Sequence, residues 1–251
     1  MIMLTMMRRM IMIVTMTVKN MIDLHFPEAT QVNQIVPKTA FYRNLEVNAL
    51  LRQHFVEDVE RIVWLAKLAP STLNVEDGKT VHEITVFHVL LKAKEVPDDV
   101  FTAIDRQLPR HVLFVLQYAG ECRLLLNYKE WLDAAKGTFR ILKTFRTDWC
   151  SAEALSLQLE GTNLDKVYES FAGQISGFRT RTADDTKRLI ELQKQLAQKQ
   201  RSIEALQKKV RAEKQFNRQV QLNAEARVLK REWVSLQEEI NKLKQQQSKK
   251  Q

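Results

Sequence analysis

The last glycine of this 251-residue chain is Gly177, and all five prolines lie between Pro27 and Pro109. Residues 178–251 therefore contain neither of the residues that most strongly interrupt a helix. Within that stretch Leu189, Leu192, Leu196, Ile203, Leu206 and Val210 recur at alternating three- and four-residue spacing, with Lys199 in one slot. Leu222, Ala226, Leu229, Trp233, Leu236, Ile240 and Leu243 form a second such stripe, displaced by two residues, with the offset inside "EKQFNRQVQ". This pattern predicts a coiled coil with a phase break or a reversal. A hairpin turning near Asn217 would let the two stripes face each other. One continuous helix would need a partner from another molecule. The hairpin is the favoured expectation, although its turn lacks a glycine.

Before Gly177 the punctuation cuts the chain into short elements. "HFPEATQVNQIVPKTAFY" reads as loop or short helical turns, and Leu45, Leu50, Leu51, Phe55 and Val59 fall at roughly helical spacing. "ERIVWLAKL" and "HEITVFHVLLKA" are rich in β-branched and aromatic residues and read as strands. The second is apolar on both faces, as expected of a central strand covered on two sides. "PDDVFTAIDRQL" predicts a helix opened by Pro97. "HVLFVLQY-AG-ECRLLLNY" predicts a hairpin about Ala119-Gly120, and "GTFRILKTFRTDW" a further strand. "TNLDKVYESFAGQI" reads as a helix capped by Thr162 or Asn163. The fold class expected is thus α+β: a mixed, largely antiparallel sheet with flanking helices, followed by an α-helical coiled coil. Three regions are expected: 1–20 as an extension, 21–177 as the α+β domain and 178–251 as a basic helical tail.

All eight methionines fall within residues 1–21. Arg8 and Arg9 followed by "MIMIVTMTV" imitate a signal peptide, but the apolar run is about nine residues against the roughly 20 that span a bilayer. No small-residue cleavage pattern follows, so residues 1–20 are expected to be an over-extended start preceding Met21. Only Cys122 and Cys150 are present, which gives no disulfide framework and points to a cytoplasmic, reducing setting.

Catalytic patterns are missing. His25, His54, His82, His88 and His111 show no metal-ligand spacing, and neither GxSxG nor a phosphate-cradling glycine loop occurs. No cofactor, metal or catalytic residue is expected. A divergent metal-dependent nuclease would need acids such as Glu60, Glu83, Asp105 and Glu121 to converge in one cleft.

Charge is more informative. Residues 1–177 carry 20 Lys/Arg against 21 Asp/Glu, whereas 178–251 carry 19 against 9. Lys208, Lys209, Arg211, Lys214 and Arg218 cluster around Phe216, and Arg227, Lys230 and Arg231 follow. Such a cluster suits phosphate contacts with DNA or RNA. Coiled coils also carry such charge for solubility alone, and a dimeriser with no nucleic-acid role, a homo-oligomer joined through the coiled coil, is a further expectation.

The segments "FPEATQVNQIVPKTAFY", "KLAPSTLNV", "EITVFHVLLK", "HVLFVLQY", "FRTDW" and "EKQFNRQVQLN", in this order, resemble the bacterial family known as domain of unknown function 4391. The resemblance runs from about Met21 to Leu243 and carries no catalytic motif. It implies a partner of helicases or DNA methyltransferases in restriction-modification or phage-defence systems. The function expected is therefore that of a non-enzymatic accessory or scaffolding protein.

Overall fold

A computed structural model describes residues 22–42, 49–106, 108–133, 138–178 and 182–248. The expected extension at 1–20 lies outside them.

Seven strands form one mixed sheet: β1 (Gln31–Val36), β2 (Val59–Leu68), β3 (Ile84–Leu91), β4 (His111–Tyr118), β5 (Glu121–Asp133), β6 (Thr138–Arg146) and β7 (Cys150–Ser151). The first six lie side by side in chain order, and β7 pairs with the start of β5. Every pairing is antiparallel except β3 with β4. That parallel step needs a crossover, and a helix at Asp98–Arg106 supplies it. The sheet is thus mixed and mostly antiparallel.

Helices α1 (Ala49–Glu57), α2 (Asp98–Arg106) and α3 (Leu164–Ser176) cover the sheet. Phe55 of α1 and Val100, Phe101 and Ile104 of α2 share a core with Ile62, Phe87, Val89 and Phe114. On the opposite face Leu164, Val167, Phe171 and Ile175 of α3 pack with Val86, Leu113, Val115, Leu124 and Leu126. The strand β3 contributes to both cores, which explains why its sequence is apolar on both faces.

Ala119 and Gly120 both take positive φ, 48° and 88°, between paired Tyr118 and Glu121. This is the backbone that a two-residue hairpin turn requires. Asn163 caps α3, its side chain accepting from Lys166 N at 3.0 Å. Two expectations differ from the structure. "QVNQIV" is the edge strand β1 rather than loop, and it escapes a hydrophobic pattern because most of its residues are exposed. The helix expected to run to Val59 ends at Glu57, because Val59 is the fully buried first residue of β2.

Beyond Gly177 the chain forms two long helices, α4 (Ala183–Ala212) and α5 (Phe216–Ser248), joined by Glu213–Gln215. Arg188 pairs with Glu239 at 2.6 Å and Lys199 with Glu232, so the helices run antiparallel as one hairpin. The reversal comes slightly before Asn217. Glu213 is extended (φ −75°, ψ 130°), so no left-handed residue is needed and a glycine is dispensable. Gln219 Nε2 donates to Val210 O at 3.1 Å, tying the helix ends together. Among the described residues no helix is long and apolar enough to cross a membrane.

Candidate functional site

Of the expected stripes, Leu189, Leu192, Leu196, Leu236, Ile240 and Leu243 pack together between α4 and α5. Leu189, Leu192, Ile203, Leu222, Ala226 and Ile240 are buried; Leu196, Leu206, Val210, Leu229, Trp233, Leu236 and Leu243 are partly buried. The cation at the Lys199 slot is accommodated because its ammonium reaches Glu232 on the other helix.

The base of this arm is fastened to the sheet by buried polar contacts. Glu169 of α3 accepts from Tyr128 OH on β5 at 2.6 Å and from Thr186 Oγ1 on α4 at 2.7 Å. Burial pushes the Glu169 carboxyl above its ordinary range despite those two hydrogen bonds. Lys187 adds an ion pair with Glu130 at 2.8 Å, and Ile190 enters the sheet core. Thr182 caps α4 by accepting from Asp185 N at 3.1 Å.

Among the described residues Ile190 is the only one of the arm in that core, and Ala212 lies 22 residues further on. At 1.5 Å per residue the apex stands about 33 Å beyond that anchor. Around it sit Lys208, Lys209 and Arg211 at the end of α4, Lys214 in the connection and Arg218 in the first turn of α5. All five are exposed, and Glu213 is the one acid between Lys208 and Arg218. None of the five makes an ion pair with a described residue, whereas Lys187, Arg188 and Lys199 nearer the base do. Phe216, 75% exposed, projects among them. Arg227, Lys230 and Arg231 are also exposed but lie further along α5, about 14 Å or more from Arg218 by helical rise. The eight expected cations therefore form two groups.

The acids considered for a nuclease do not meet. β3 starts at Ile84 and Glu83 precedes it, whereas Glu60 is at the β2 end that pairs with Leu90 and Leu91. Glu121 begins β5 opposite Tyr118, the last residue of β4, again at the sheet end remote from Glu83. Eight residues of strand separate the two ends, roughly 26 Å. Glu83 is held by Arg110 and by Lys67 at 3.3 Å, and Glu121 by Lys94. Asp105 is fully buried, with Oδ1 2.6 Å from Lys129 Nζ. Lys129 also donates to Arg110 O at 2.6 Å and Asp105 O at 3.1 Å, which clamps the α2–β4 connection. Burial raises the Asp105 carboxyl to about 6 and lowers the Lys129 ammonium, each partner's charge opposing the shift.

The histidines are equally dispersed. His82 precedes β3 and contacts Asp77 at 3.0 Å, while His88 is buried within β3 against Gln117 Oε1 at 2.8 Å. His54 pairs with Asp58 at 2.6 Å and His25 with Asp23 at 3.2 Å. Among the described residues no group of three His, Cys, Asp or Glu could hold a metal ion. Cys122 is fully buried, and burial pushes its thiol up to about 11.

The Tyr128–Glu169–Thr186 and Lys129–Asp105 contacts were not foreseen. Their only sequence signal is a charged or hydroxyl residue inside an otherwise apolar run, as at Lys129 after "LLLNY".

A family model described as Domain of unknown function (DUF4391) matches residues 24–233. No curated protein and no solved structure matches.

Proposed function

This chain belongs to the DUF4391 family of domains of unknown function, and from that premise we propose that it is a non-enzymatic accessory protein of a bacterial DNA-processing assembly. The helical hairpin serves as its reach, and the apex contacts the nucleic-acid backbone. One observation carries this reading: five exposed cations and one acid surround the turn, and no described acid pairs with any of the five. A solvated helix face needs no such concentration at its tip, whereas phosphates favour it through counterion release. Phe216 adds an exposed aromatic face on which a base can stack.

Protein contact suits the outer side of α5. Val220, Val228 and Val234 are about half exposed on the side away from the seam, with Arg227 and Arg231 beside them. An acidic, apolar-studded partner surface complements that combination. The family resemblance suggests a helicase or DNA methyltransferase of a restriction or phage-defence system in that role. Two facts weigh against the other readings: Glu83 lies at the opposite sheet end from Glu60 and Glu121, and Leu189, Leu192, Leu196, Leu236, Ile240 and Leu243 pack together within one chain.

The test is fluorescence anisotropy with a labelled 20-base-pair duplex. Reversing Lys208, Lys209, Arg211 and Lys214 to Glu should abolish binding while leaving the melting temperature unchanged. Unchanged affinity would refute the reading.

A further inference from the structure

A cleft of about 500 Å³ opens where the start of β4, the end of β5, the loop before β3 and the first turns of α3 and α4 converge. It lies at the base of the arm and is independent of the apex. His111, the first residue of β4, lines it and is only 3% exposed. Its ring packs edge-on against Tyr168, with centroids 4.4 Å apart, and against Trp131 at 6.0 Å. Both neighbours are pinned, because Tyr168 OH donates to Asn127 O at 3.0 Å and Trp131 Nε1 donates to Thr80 O at 3.1 Å. No hydrogen bond joins a His111 ring nitrogen to a described residue, and neither nitrogen is among the sealed, unpaired side-chain atoms, so they open onto the cleft. An imidazole fixed in a cleft wall with its nitrogens open to the cavity offers them to a ligand.

Charge at the rim selects the ligand class. Lys79 and Lys166 line the cleft, are exposed and make no ion pair with a described residue; Lys166 Nζ reaches only Thr162 Oγ1 at 3.1 Å. The nearby carboxylates are already engaged. Asp165 accepts from Lys79 N, Thr80 N, Thr80 Oγ1 and Val81 N at 2.6–3.1 Å, and Glu130 holds both Lys187 and Arg140. The capping residues of α3 and α4, Asn163 and Thr182, also face the cleft, so two helix N-termini add positive partial charge. Burial, and secondarily the Lys129 charge, lower the His111 imidazolium to about 3, so the ring is neutral at pH 7. A neutral imidazole offers one donor and one acceptor, which suits the edge of a nucleobase better than an anion.

We propose that this cleft binds a nucleoside phosphate, with the phosphate at Lys79 and Lys166 and the base edge at His111 beside Trp131. The ligand is either a free nucleotide or the 5′-terminal nucleotide of a strand, and the volume suits one nucleotide.

The test uses the full chain, AMP and the 5′-phosphorylated trinucleotide pTpTpT, followed by calorimetry and by the ¹⁵N shifts of the His111 ring. Binding of AMP that moves both His111 nitrogens, and that weakens at least tenfold in K79A/K166A, supports a free nucleotide. The same response to pTpTpT alone assigns the site to a strand end. If neither probe moves the His111 nitrogens, or K79A/K166A binds as the parent does, the proposal is overturned. Both lysines are exposed, so their replacement leaves the fold intact, and apex variants are expected to bind AMP normally.

Discussion

Thr186 Oγ1 lies 2.7 Å from Glu169 Oε2, joining the first turn of the helical arm to the helix beneath the sheet. Tyr128 OH completes the pair of donors to the same buried carboxylate. The arm is therefore not a loosely tethered tail. Its base is built into the sheet's core, which fixes the direction in which the apex points.

Replacing Thr186 with Val preserves shape but leaves a buried carboxylate oxygen without its donor. The expected loss is about 1–3 kcal/mol, read as a lower urea midpoint. Faster amide exchange confined to the first turns of α4 should accompany it.

Lys129→Met removes the cation from a fully buried pair and strands Asp105. The expected cost at pH 7 is about 3–5 kcal/mol. Asp105 must then protonate to stay buried, so the variant's deficit relative to the parent chain shrinks as pH falls below 7. Urea titrations across that range check the sign. A second change, Asp105→Leu, should restore much of the loss.

Acid lability follows from two buried histidines. Burial lowers His88 to about 4 and His111 to about 3, against 6.5 for a free imidazole. Between those values the unfolded chain binds more protons, so their contribution is complete above pH 6.5 and is lost as pH falls below it. Asp105, raised to about 6 from 3.8, acts in the opposite sense between those two values. Glu169, which burial also raises, acts with Asp105, so the histidine contribution is read by comparing variant with parent. Between pH 6.5 and pH 4.5 the parent should lose about 1.4 kcal/mol more per pH unit of acidification than His88→Gln does, the equivalent of one proton.

The sequence made the sheet's interior readable and left its polar joints obscure. β3 announces itself because both its faces are apolar, and the β4–β5 turn because Ala-Gly interrupts two apolar runs. The edge strand β1 was hidden because it has few apolar neighbours to pattern against. The reversal of the arm was signalled by the two-residue slip between stripes, although its position depends on the extended backbone at Glu213, for which no residue type is diagnostic. The apex cations could be named from the sequence. Their division into two groups could not, because it depends on where the turn falls. The cleft draws His111, Lys79 and Lys166 from three separate segments, and only the fold brings them together.

The central claim, that the apex holds a nucleic-acid backbone, is tested most directly by the salt dependence of duplex binding. If most of the five apex cations contact phosphates, log K should fall against log salt with a slope of about −3 to −4.5. Charge reversal at Lys208, Lys209, Arg211 and Lys214 should remove that binding. A slope near zero, or an unaltered slope in the reversed variant, would contradict the account.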